Sequence, residues 1–153
     1  MKFLELKIPP PLVALTFALA MWFVSRSTPS IDIGIWVRAV VAVAVALLGG
    51  AISLAGVLAF RRARTTVNPM KPQSTSMLVT GGIYRFTRNP MYVGLLLVLV
   101  AWATFLSSLW TLVGPLAFVL YITRFQIKPE ESALATLFGQ PYADYRAKVR
   151  RWF

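Results

Sequence analysis

Two short stretches of the chain carry side chains able to do chemistry. The first is Gly82-Ile83-Tyr84-Arg85-Phe86-Thr87-Arg88-Asn89-Pro90-Met91-Tyr92, with aromatic hydroxyls, guanidinium groups and one amide. The second is Pro129-Glu130-Glu131, a pair of adjacent carboxylates. If both return to one face, Tyr84, Arg88, Asn89 and Tyr92 meet Glu130 and Glu131 in a mixed-sign pocket with an aromatic edge. Such a pocket suits a zwitterionic ligand with a carboxylate, an amine and a flat ring. Guanidinium or backbone N–H would take the first, glutamate the second, aromatic and apolar contacts the third.

The rest of the composition narrows the chemistry. The 153 residues include no cysteine and no histidine, which excludes disulfides, thiolate nucleophiles, His-ligated metals and a histidine general base. Glu5, Asp32, Glu130, Glu131 and Asp144 are the five acids, too few for a carboxylate cage, and no metal site is expected. Gly49-Gly50 and Gly81-Gly82 lack the G-x-G-x-x-G spacing of a soluble dinucleotide fold. What remains is Arg, Lys, Tyr, Asn, the glutamate pair and backbone groups.

The elements that must position these groups are apolar helices. With 58% hydrophobic residues and a mean hydropathy of +0.68, the chain is too apolar for an ordinary water-soluble domain. It reads as one all-α, polytopic membrane domain with spans at about 10–25, 35–60, 91–106 and 109–127, a motif-bearing loop over 61–90 and a tail over 128–153. Lys2 and Lys7 followed by an apolar run to Ala18-Leu19-Ala20 resemble a secretory signal, but Met21 to Val24 prolong the run past that point and predict a retained helix. Ala42, Ala46 and Gly50, with Gly49 and Ser53 one step round, predict close packing of the second helix. Ser107-Ser108 is the expected hinge of the second hairpin. Gly139 is the expected stop of a first tail helix, with a second, interfacial helix from Pro141 onward.

Counting basic residues in the short loops gives an orientation. Lys2, Lys7, the Arg61 to Arg88 group and the Arg124 to Arg151 group fall on one side, leaving Arg26 and Arg38 near the other, so both termini and the loop are expected in the cytoplasm. A compact chain of this kind points to a prokaryotic inner membrane. The formal net charge of +11 lies between apolar runs, so lipid headgroups are the expected partner and nucleic acid is not.

The two stretches together resemble a known family. Gly82-x-Tyr84-x-x-x-Arg88-Asn89-Pro90-x-Tyr92-x-Gly94, followed by Glu130-Glu131-x-x-Leu134-x-x-x-Phe138-Gly139-x-x-Tyr142-x-x-Tyr145, resembles the isoprenylcysteine carboxyl methyltransferase family and, more loosely, phospholipid N-methyltransferases. The resemblance implies a membrane-embedded methyltransferase that takes S-adenosylmethionine from the cytosol and a lipophilic acceptor, a carboxylate, thiol or lipid, from the bilayer. It further implies cofactor contacts from Leu78, Val79, Gly81, Gly82, Ile83 and Tyr84, and from Asn89, Tyr92 and Glu130, with Arg88 and Glu131 as the catalytic pair. The family commonly has histidine where Asn89 stands; asparagine keeps a donor and an acceptor and loses the titratable group. Methyl transfer from a sulfonium is an in-line displacement on an activated carbon, so an anionic acceptor needs alignment and desolvation more than a base.

Plainer roles stand beside these. Arg85 and the Arg61 to Arg64 cluster read as cytoplasmic anchors, and the tryptophans Trp22, Trp36, Trp102, Trp110 and Trp152 as markers of span ends. Tyr142 and Tyr145 read equally as interfacial aromatics or as pocket lining. Adjacent helical positions point apart, so one glutamate is expected in the pocket and the other at a helix start. Arg124 is either functional or snorkels to the cytosol. Two other functions remain open from sequence, a nicotinamide-dependent membrane reductase and a non-enzymatic membrane scaffold.

Overall fold

The computed structural model describes residues 5–63 and 77–153. Lys2, Arg64, Lys71 and the polar stretch from Asn68 to Ser76, all assigned above to the cytoplasmic face, lie outside the described residues. Among the described residues every regular element is helical. Helix α1 is Pro10–Arg26, α2 is Ile35–Arg62 and α3 is Pro90–Leu106, with a single 3-10 turn at Gly82–Arg85 before it. Helix α4 is Leu109–Phe138 and α5 is Gln140–Lys148.

Prolines start α1 and α3, at positions where a missing N–H costs nothing. Helices α2 and α3 pack most closely, because small residues line their contact. A Cβ on Gly49 would lie 2.7 Å from the Gly94 carbonyl, and one on Gly56 would press on Pro90 and Met91. Ser53 bridges the same seam by donating to the Met91 carbonyl at 3.4 Å. The seam is therefore Gly49-Ser53-Gly56 against Gly94, whereas Gly50 faces open space. The core gathers Val13 and Met21 of α1, Leu99 of α3, and Phe118, Ile122 and Ile127 of α4.

Ser107 makes the turn of the second hairpin in a left-handed conformation, φ 53°, that a non-glycine residue rarely adopts. Its N–H reaches the Ala103 and Thr104 carbonyls, its hydroxyl donates to the Ile31 carbonyl at 2.8 Å, and Ile31 N–H returns to the Ser107 carbonyl at 2.6 Å. These bonds also tie the α1–α2 connection to the same end of the bundle.

The second hairpin differs from expectation beyond Ile127. Helix α4 does not stop there; it runs on through a π-helical segment, Thr123–Ile127, into Lys128–Phe138. The reason is Pro129, which has no N–H for the carbonyl four residues back. That carbonyl, on Phe125, instead accepts the Leu6 N–H at 3.1 Å, and the helix absorbs the mismatch as a wider turn. Glu130 and Glu131 consequently sit inside a continuous helix, and no helix start is available to either. Gly139, at φ 52°, then breaks the chain into α5.

Two helices, α2 and α4, are long and apolar enough to cross a membrane; α1 and α3 are apolar helices of 17 residues each. Their outward faces carry Leu15, Leu19, Phe23, Val40, Leu47, Leu54, Leu116 and Leu120, all exposed. An apolar belt of this extent is stable against acyl chains and not against water. The protein is therefore membrane-associated. Trp22, Trp36 and Trp110 are exposed as span-end aromatics should be, but Trp102 and Trp152 are not. Trp102 donates to the Ala18 carbonyl at 3.0 Å and Trp152 to the Thr123 hydroxyl at 3.1 Å, both inside the bundle. Arg124 is exposed and pairs with Glu5 at 2.9 Å.

Candidate functional site

The site forms where the segment before α3, the middle of α4 and the residues after α5 converge. Gly82, at φ 61°, lets the chain turn from the extended Gly81 into the 3-10 turn that buries Tyr84. The Tyr84 ring meets Phe60 of α2 edge-on at 5.3 Å, and its carbonyl accepts the Tyr145 hydroxyl of α5 at 2.7 Å. Burial raises both phenols above their ordinary range, so both stay protonated and Tyr145 stays a donor.

Residues 150–152 fold back across this turn and hold it by backbone groups. Arg88 N–H donates to the Arg150 carbonyl at 3.0 Å. The Arg151 carbonyl accepts both the Thr87 hydroxyl at 3.2 Å and the Asn89 side-chain amide at 2.9 Å. Asn89 stands at the N-cap of α3, yet its side chain makes no capping bond; Thr87 Oγ1 accepts the Asn89 N–H instead.

Each glutamate has its own partners. Glu131 is buried and grips two guanidinium groups: Arg151 from Nε at 2.9 Å and Nη2 at 2.7 Å, and Arg88 from Nη2 at 3.1 Å. The paired bonds from Arg151 have the fork geometry that makes guanidinium–carboxylate pairs strong, and the hydrogen bond to Glu131 raises the Arg151 pKa. Glu130 Oε1 accepts the Tyr92 hydroxyl at 2.5 Å and the Gln126 amide at 2.8 Å. Arg88 keeps two buried nitrogens, Nε and Nη1, without a hydrogen-bond partner among the described residues. A buried guanidinium N–H without a partner is an unmet donor, and the Tyr142 side chain lies close enough to interact with this guanidinium.

The structure thus brings together Tyr84, Arg88, Asn89, Tyr92, Glu130 and Glu131. Leu78, Val79 and Ile83 are half-buried at the margin, and Gly81 and Gly82 lie exposed with open space where a side chain would stand. No hydrogen bond links these marginal residues to the glutamates among the described residues. Tyr142 is buried and Tyr145 is bonded to the motif turn, so both pack with the residues of this site.

Sequence reasoning missed Gln126, Arg151, Thr87 and Trp152. Gln126 was discoverable, as a polar residue in an apolar run four positions before Glu130, one helical turn away. Arg151 was hidden among Arg146, Lys148 and Arg150, where one cation looks like another.

The arrangement sets a guanidinium, Arg88, on Glu131 and a carboxylate, Glu130, between Tyr92 and Gln126. Glu131 is held by two guanidinium groups, a geometry that suits it to fix Arg88.

The sequence model of one family, described as "Phospholipid methyltransferase", matches residues 37–141. A "Protein-S-isoprenylcysteine O-methyltransferase" of Schizosaccharomyces pombe is 35% identical over 82 residues, 52% of this chain and 34% of that protein. A "Probable protein-S-isoprenylcysteine O-methyltransferase" of Oryza sativa is 31% identical over 117 residues, 74% of this chain and 60% of that protein. An "Uncharacterized protein" of Haemophilus influenzae is 45% identical over 62 residues, which is 98% of its length. The chain therefore spans between about a third and three-fifths of the two methyltransferases it matches. Neither the reductase nor the scaffold reading gains support from these similarities.

Proposed function

Because the chain belongs to the phospholipid methyltransferase family, we propose that it transfers a methyl group from S-adenosylmethionine to a lipophilic acceptor at the membrane face that carries the two motifs. The acceptor is a carboxylate, thiol or lipid that reaches the site from the bilayer. On this reading all four long helices cross a prokaryotic inner membrane, with the residues before α1, the segment between α2 and α3 and the residues after α4 facing the cytosol, where the basic residues concentrate.

The observation that carries this reading is the contact between the two stretches, whose residues Tyr92 and Glu130 lie 38 positions apart along the chain. Tyr92 reaches Glu130, and Arg88 reaches Glu131 at 3.1 Å. The residues suit the cofactor's chemistry. S-adenosylmethionine would supply an activated methyl on a sulfonium, together with a carboxylate, an amine and a flat ring. The backbone from Leu78 to Tyr84, open at Gly81 and Gly82, would flank the nucleoside. Asn89, Tyr92 and Glu130 would hold the amino-acid end and the positive centre.

Arg88 and Glu131 act at the acceptor end. Glu131 holds Arg88 in one orientation, so the open Nε and Nη1 edge is presented without an ordering cost when an anionic oxygen or sulfur arrives. The cofactor, when bound, would supply the methyl carbon, and Arg88 would hold the anionic acceptor atom in line with it. No proton needs to move when the acceptor is already anionic. The surrounding apolar helices keep water from the acceptor atom, which strengthens its interaction with Arg88.

Binding of S-adenosylhomocysteine, followed by titration calorimetry and thermal stabilisation beside NADPH, tests the reading. Saturable binding of the first and none of the second is expected. No response at millimolar S-adenosylhomocysteine would overturn it.

A further inference from the structure

Along α3, beginning six residues from Asn89 and ending sixteen residues from it, about 9 to 24 Å at 1.5 Å per residue, lies a second feature that the site does not use. Helices α1 and α2 both pack on α3, and between them, over its surface, runs an apolar groove of about 540 Å3. Leu95 and Leu99 form its floor, with Ala14 and Ala18 on one wall and Ala42 and Ala46 on the other. The four alanines keep it open. From Leu95 to Phe105 it follows α3 for about 15 Å, half of a hydrocarbon core of about 30 Å, and so the depth of one leaflet.

The outer end of the groove is not apolar. Arg38 sits one helical turn before Ala42, and its Nη1 donates to the carbonyl of Phe105, a groove residue, at 3.4 Å. Its Nε is buried and has no hydrogen-bond partner among the described residues. Asp32 precedes Arg38 by less than two turns' worth of chain but makes no ion pair among the described residues. Arg26 stands at the same end, above the Trp22 ring, so cations outnumber the single acid there.

We propose that this groove is a phospholipid-binding site for the leaflet opposite the motif face, with one acyl chain lying between α1 and α2 and the headgroup phosphate on Arg38. The groove matches one leaflet's chain in length, and the Arg38 guanidinium at its end, unpaired among the described residues, matches a phosphate in charge. The local excess of cations favours a headgroup of net negative charge, such as phosphatidylglycerol. The inference rests on the membrane placement proposed above and not on methyl transfer.

Native mass spectrometry of the full chain in detergent micelles, with equal amounts of phosphatidylglycerol and phosphatidylcholine, tests it. One phosphatidylglycerol retained per chain is expected, in preference to phosphatidylcholine. R38Q should lower retention roughly tenfold, as loss of a charged hydrogen bond implies, while R38K keeps most of it. A42F, which fills the groove, should also release the lipid, and R124Q, at the other face, should not. Circular dichroism identifies any variant that fails to fold, and R38Q decides alone if A42F does, because Arg38 lies at the rim. Retention unchanged in R38Q overturns the proposal, as does a dimer that A42F dissociates, since a second copy would then occupy the groove. Lipid retention in a protein that binds no S-adenosylhomocysteine would leave this site standing and remove the methyl-transfer reading alone.

Discussion

The Asn89 side-chain amide donates to the Arg151 backbone carbonyl at 2.9 Å, so the residue at the cap of α3 fastens the chain that folds back over the site. The same residue, Arg151, grips Glu131 with its guanidinium. Asn89 is thus joined through one residue to the glutamate that orients Arg88.

Arg151 should therefore matter to binding as well as stability. R151A removes both bonds of the fork but leaves Arg88 on Glu131, and the Arg151 side chain is a third exposed. Discounting for that exposure, the expected loss is about 1–2 kcal/mol in unfolding free energy. Affinity for S-adenosylhomocysteine should fall with it. R151K keeps the charge without the fork and should recover less than half of the loss in both thermal melts and titrations.

Pro129 sets the register of the glutamates. P129A restores an N–H that competes with Leu6 for the Phe125 carbonyl, which should let the π segment relax towards an ordinary helix. One residue of α-helix is a turn of about 100°, enough to carry Glu130 away from Tyr92 and Gln126. Helix content by circular dichroism should hold while ligand affinity drops; unchanged affinity would show that the register does not depend on this proline.

The α2–α3 seam should tolerate no added bulk. G94A would drive a methyl into Ser53 and the Gly49 carbonyl, and is expected to destabilise by about 1–3 kcal/mol. G50A faces open space and should be neutral or slightly stabilising. Parallel denaturation of the two variants in micelles separates packing from a general intolerance of alanine in α2.

Much of this arrangement was legible in the residues. Apolar runs at about 10–25, 35–60 and 91–106 mark three helices to within two residues of their ends, and Ser107-Ser108 marks the turn before the fourth. The motif residues Tyr84, Arg88, Asn89 and Tyr92, with Glu130 and Glu131, stand out by their chemical types, and the fold brings them together. What stayed hidden depends on backbone groups that carry no residue signature. Neither the π segment nor the use of the Phe125 carbonyl by Leu6 can be seen in a hydropathy pattern, and Pro129 reads locally as a helix start. The role of Arg151 is likewise tertiary, because a cation among cations has no distinguishing spacing.

The central claim is that the two motifs make one cofactor pocket, and titration of S-adenosylhomocysteine into wild type, E130Q and E131Q tests it most directly. Wild type should bind at a single site. E130Q should lose roughly tenfold or more in affinity while melting close to wild type, since amide replaces carboxylate at the positive centre. E131Q should melt lower, because two guanidinium groups lose their anion. Absence of saturable binding to the wild type, or equal and negligible effects of both substitutions, would contradict the account.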